Sequence, residues 1–85
     1  MKDEELSRIL NTMYNNAPDG DKVAMIHLFG IIFADEISCA NSSVQSITDE
    51  AKIPSSYHAE VSKGVKLRKY VSPTSEFYKW VLTQI

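Results

Sequence analysis

The stretch Asp49–Tyr70, DEAKIPSSYHAEVSKGVKLRKY, decides how this chain is read. Just before and into it, Val44, Ile47 and Ala51 recur at i, i+3 and i+7. That spacing is one face of a two-turn helix, which Ser43 is placed to cap. Ile53-Pro54 ends the helix, because the residue before proline avoids helical angles. Ser55 or Ser56 is expected to cap a second helix, with Tyr57, Val61 and Val65 four apart on one face. The spacing alone therefore predicts two short helices joined by a tight turn. Five basic residues, Lys52, Lys63, Lys66, Arg68 and Lys69, accompany the pair against three acids, Asp49, Glu50 and Glu60. They are either a working surface or a solvated tail.

Working outward, Asp3–Asn16 reads as a helix. Leu6, Ile9, Leu10, Met13 and Tyr14 fall at helical spacing, and Asp3, Glu4 and Glu5 suit a positive helix N-terminus. Pro18 and Gly20 stop it. Asp21 is expected to cap the next helix, Lys22 to about Cys39. Its middle, from Val23 to Phe33, has almost no polar face. Such a helix is central to its own core or covered by another subunit, so a homodimer through this second helix is one expected arrangement. Gly30 costs ~1 kcal/mol in a helix interior, which suggests a close helix approach there. Gly64 threatens the fourth helix, and Val65–Val71 is expected to be helical or irregular rather than a strand. Ser72 and Pro73 mark the start of a last helix, whose apolar face is Phe77, Trp80, Val81 and Ile85. The predicted fold is all-α, a compact bundle of about five helices in a single domain, residues 1–85.

Composition bounds the function. The 85 residues carry a net charge of −2, but unevenly. Residues 1–50 hold three basic against nine acidic residues, and residues 51–85 hold six against two. An overall acidic chain is no general nucleic-acid coat, yet it leaves room for a local basic face. The apolar run 23–34 is too short for a bilayer, which takes ~20 residues. The start MKDEEL is acidic where a signal peptide is basic. No membrane partner and a cytoplasmic location are the expectation. The lone Cys39 fits a reducing compartment and is expected to be a buried, inert thiol. CxxC, HExxH, P-loop, GxGxxG and GxSxG motifs are all absent, and His27 has no metal partner at a useful spacing. Neither an enzyme nor a cofactor is expected.

The segment ITDEAKIPSSYHAEVSKG, residues 47–64, resembles the helix-turn-helix of phage-repressor-type bacterial regulators. Ile47, Ala51, Ile53, Ser55, Ser56, Tyr57, Val61 and Gly64 fill matching places. Lys52 stands where that pattern has its turn glycine, Thr48 where it has a small alanine, and His58 where it has a buried aliphatic. The flanking AMIHLFGIIFADEI and EVSKGVKLRKYV are similar to a group of small bacterial helix-turn-helix-like proteins, a likeness that implies a fold more than an activity.

The resemblance implies a recognition helix over about residues 55–64, lying in the major groove of double-stranded DNA. A recognition helix turns its N-terminal residues to base edges. Ser55, Ser56, Ala59, Glu60 and Lys63 lie away from the Tyr57/Val61/Val65 face, and Glu60 is suited to accept from a cytosine amino group. Lys52, Lys66, Arg68 and Lys69 are the expected phosphate contacts. His58 is expected to pack partly against the helix pair. The alternative is a protein-interaction module with a helix-turn-helix-like fold and no DNA binding. It would use the second helix or the Phe77/Tyr78/Trp80 face, and Ser55 and Ser56 would then serve only as caps.

Overall fold

A computed structural model describes residues 1–84, in which six α-helices and one 3₁₀ turn form an all-α fold. Helix α1 spans Asp3–Asn15 and buries Leu6, Ile9, Leu10 and Met13 completely. Glu5 closes its start by accepting the Lys2 backbone N–H at 3.3 Å. Asp3 does something the helix dipole alone did not suggest. Its carboxylate takes the backbone N–H groups of Asn41 and Ser42, at 3.3 and 2.8 Å, and so pins a distant loop to the start of α1.

Helix α2 begins at Lys22, as the spacing predicts, although the Asp21 side chain makes no capping bond. The Lys22 ammonium instead reaches back to the Tyr14 carbonyl at 3.0 Å and sits 4.4 Å from the centre of the Tyr14 ring. The expected single helix to Cys39 is two helices: α2, Lys22–Ile32, and α3, Ala34–Ser38. The cause lies far away in sequence. Arg68 donates to the carbonyls of Ile31 and Ile32, at 2.6 and 3.1 Å, and satisfies acceptors that a continuous helix would have bonded itself. A side chain inserted into the helical ladder breaks it. Cys39, at the C-terminal cap of α3, is exposed, not buried as the sequence suggests.

Helix α4, Val44–Glu50, is capped by Ser43, whose hydroxyl accepts the Ser46 N–H at 3.1 Å. It is sewn to α1 by two bonds: Ser7 Oγ donates to the Ile47 carbonyl at 3.0 Å, and Asn11 Nδ2 donates to the Ala51 carbonyl at 2.8 Å. Thr48, in place of a small alanine, is fully buried and returns its hydroxyl to the Val44 carbonyl at 2.8 Å. After a turn comes the 3₁₀ segment Ser55–Tyr57, then α5, His58–Leu67. Gly64 does not stop α5. A turn at 68–70 follows, with no strand among the described residues. Helix α6, Ser75–Gln84, is capped by Thr74 rather than Ser72, through a 3.2 Å bond from the Phe77 N–H to Thr74 Oγ1. It buries Val81 and half-buries the stacked Phe77 and Trp80. Ile85, expected on the same face, lies outside the described residues.

The apolar α2 is the centre of this arrangement. Ile26 and Phe29 are fully buried, with Met25, Ile31 and Ile32 nearly so, and α1, α3 and α5 pack around them. One chain thus covers most of the helix surface that the sequence left open to a second copy. The α2–α5 crossing is set by two glycines. A Cβ on Gly30 would lie 2.4 Å from the Val61 carbonyl oxygen, and one on Gly64 would lie 2.2 Å from the His27 carbonyl oxygen. Only hydrogen at both positions lets the backbones come this close.

Candidate nucleic-acid interface

Helix α5 has a clear inside and outside. Val61 and Gly64 are buried against α2, and Tyr57 and Val65 are half-buried beside them. Tyr57 also packs on Tyr14 of α1, with ring centres 5.8 Å apart. The opposite side presents Ser55, Ser56, Ala59, Lys63 and Lys66, all exposed. Ser62 lies half-buried among them and was not singled out from sequence, although its register with Ala59 and Lys66 places it there.

The serines are not caps. The 3₁₀ turn and α5 both begin without a side-chain capping bond, and α5 starts from Tyr57. Backbone bonding does the work instead, with the Tyr57 N–H on the Pro54 carbonyl at 3.0 Å. Neither serine hydroxyl has a partner among the described residues, so both are open to a ligand.

Lys52 occupies the turn with φ 61, the only non-glycine positive φ among the described residues. This is the left-handed region that favours glycine, and it matches the place where the resemblance has one. The helix pair therefore keeps its turn geometry without its usual residue. The exposed Lys52 side chain shares a surface cleft with Glu4, Arg8, Asn11 and Glu50, so its charge is partly offset by acidic neighbours.

Glu60 is held from two sides. It meets His27 Nε2 of α2 at 2.5 Å and Lys63 Nζ at 3.1 Å. The His27 hydrogen bond first, and the Lys63 contact next, hold its carboxyl below the usual glutamate range. The carboxylate thus ties α5 to α2 one turn from the glycine crossing. Spacing contained the signal: His27 precedes Gly30 by three, and Glu60 precedes Gly64 by four, so both lie one turn before their glycine.

Arg68 is likewise engaged in the fold. Besides capping α2, it approaches Asp35 at 3.6 Å. Lys66 and Lys69 are exposed and form no ion pair among the described residues. His58 opens α5, half-buried; its backbone N–H bonds the 3₁₀ turn, and its side chain forms no hydrogen bond among the described residues. The described residues contain no group of histidine, cysteine and carboxylate side chains arranged to hold a metal ion, and no helix long and apolar enough to cross a membrane.

The geometry is thus a helix pair with a tight left-handed turn, a glycine-set crossing and a polar outer face. Comparison with curated proteins and with solved structures gives no match. The family described as HTH-like domain matches residues 2–74, which takes in α1 through α5 and the turn after them. The chain belongs to this helix-turn-helix-like domain family.

Proposed function

We propose that the chain is a DNA-binding protein of the transcription-regulator type, with α5 as the recognition helix in the major groove of double-stranded DNA. The observation that carries this reading is the outer face of α5. Ser55 and Ser56 have free hydroxyls at its leading end, and Lys63 and Lys66 are exposed behind them. Short polar side chains at the entry of a recognition helix suit base edges, and lysines along its flank suit phosphates.

Within this reading the expected contacts divide. Ser55, Ser56 and Ala59 face bases, while Lys52, Lys63, Lys66 and Lys69 neutralise phosphates. Glu60 and Arg68 support the interface from within the fold, because both already hold partners there. Two serines and an alanine are a thin base-reading set, so affinity rests mainly on phosphates.

Amide chemical-shift mapping with a short duplex tests the reading. The expected result is perturbation concentrated at Lys52, Ser55, Ser56, Ala59, Lys63 and Lys66. Shifts confined to α6, or none at low salt, would favour the protein-interaction alternative.

A further inference from the structure

Glu60 stands between two cationic partners of different kinds. Its Oε2 meets Nε2 of His27 on α2 at 2.5 Å, and its Oε1 meets Lys63 Nζ, one turn along α5, at 3.1 Å. Each carboxylate oxygen thus has its own partner. The two contacts differ in how firmly they are held. The Lys63 side chain is 64% exposed and pairs within its own helix. A surface pair of that kind contributes little and exchanges readily. His27 is 32% exposed, and its place opposite α5 is fixed by the Gly64 backbone passing against its carbonyl. Lys63 can therefore leave Glu60 for a phosphate, while His27 stays.

We propose, resting on α5 as the DNA-binding helix, that DNA binding is coupled to the uptake of a proton at His27. A phosphate that draws Lys63 away leaves the Glu60 carboxylate beside a polyanion with one partner. A neutral imidazole can donate a hydrogen bond to that carboxylate but brings no charge. An imidazolium brings both. The bound state therefore favours the charged ring. Such coupling is reciprocal: DNA strengthens proton binding at His27, and protons strengthen DNA binding. Imidazole is the side chain whose charge ordinarily changes between about pH 5 and 8, so the effect falls in a measurable range.

The other charged groups on the elements packed against α2 are directed elsewhere. Helix α1 places Asp3 and Glu4 beside Cys39 and Asn41, and Arg8 beside Glu50 and Lys52. Asp35 of α3 approaches Arg68 at the far end of α2, and Glu36 lines a cleft with Arg68 and Lys79. Lys22, at the start of α2, bonds the Tyr14 carbonyl. His58, the second histidine of the chain, precedes Glu60 by two residues on α5.

The test is a duplex titration at fixed salt between about pH 6 and pH 8. Wild type should bind more tightly at the lower pH, with log K falling by up to about one unit per pH unit, the limit for a single proton. The response should persist in His58→Gln and disappear in His27→Gln and Glu60→Gln. Glu60→Gln should also bind more tightly than wild type at the upper end of the range. Binding with no pH response, or a response lost in His58→Gln and kept in His27→Gln, would overturn the coupling and leave α5 as the DNA-binding helix. Absence of binding at low salt would overturn both. A second measurement needs neither DNA nor a change at the α2–α5 crossing. Lys63→Ala removes from Glu60 the charge that a phosphate would draw away, and the exposed side chain leaves the fold intact. The His27 ring proton shift should then titrate at a higher pH than in wild type, and an unmoved curve would overturn the coupling.

Discussion

Lys52 and Glu60 decide the most at the scale of single residues. With φ 61, Lys52 holds a conformation costing a non-glycine residue roughly 1–2 kcal/mol. Asn11 keeps the turn in place by bonding the preceding Ala51 carbonyl at 2.8 Å. Lys52→Gly removes the strain but makes the unfolded chain more flexible, which costs about 0.4–1 kcal/mol. Strain relief is the larger effect, so the variant should gain about 0.5–1 kcal/mol, read as a higher urea midpoint with an unchanged slope. Glu60 gives a pH signature. Its carboxyl is held below the usual range in the folded chain, chiefly by His27. A depressed folded value means stability that is present above the ordinary glutamate value of about 4.3 and is lost as pH falls through the lower, folded one. Denaturation midpoints followed downward from pH 5 should therefore fall less steeply in Glu60→Gln than in wild type. Parallel curves would show that the His27 and Lys63 contacts contribute nothing to the fold.

At the scale of elements, the α2–α5 crossing holds the pair in place. An alanine at Gly64 would gain ~1 kcal/mol of helix propensity. Its Cβ, however, would lie 2.2 Å from a backbone oxygen of α2, where no flexible side chain can yield. Overpacking of this kind costs up to ~3 kcal/mol or more and outweighs the gain. Gly64→Ala should lose about 2 kcal/mol, and thermal denaturation by circular dichroism checks it. Much of this layer was legible in the sequence. Apolar spacing locates α1, the start of α2, α4 and α5, and Gly30 alone points to a close helix approach without naming its partner. What the spacing could not carry was long-range. The α2/α3 break comes from Arg68, thirty-six residues beyond Ile32, bonding carbonyls that no local pattern exposes. Asp3 read as a dipole residue and is also a loop anchor. Ser55 and Ser56 read as caps because serine so often is one, yet a 3₁₀ turn starts α5 without them. The same discrepancy frees their hydroxyls for the proposed interface.

At the scale of the whole molecule, the proposed DNA binding requires an acidic chain to bring a basic face to a polyanion. Nine of the eleven acids lie in residues 1–50, and the second half carries the excess of lysine. Glu60 is the one acid on α5, and it is engaged with His27 and Lys63. Lys63, which keeps its ammonium exposed while pairing with Glu60, and Lys66 and Lys69, which form no ion pair among the described residues, are the exposed lysines along and just beyond the helix, with Lys52 at the turn. Each phosphate neutralised on duplex DNA contributes about −0.9 to the slope of log K against log salt. Four lysines per chain thus predict a slope of roughly −3.6, or a hundredfold loss of affinity between 50 and 200 mM salt. Titrating a fluorescent duplex across that range, with wild type and with Lys63→Ala/Lys66→Ala, is the most direct test of α5 as a DNA-binding helix. The account predicts steep salt dependence in wild type and a slope shallower by about 2 in the double variant. No binding at 50 mM salt, or a double variant that superimposes on wild type, would contradict it.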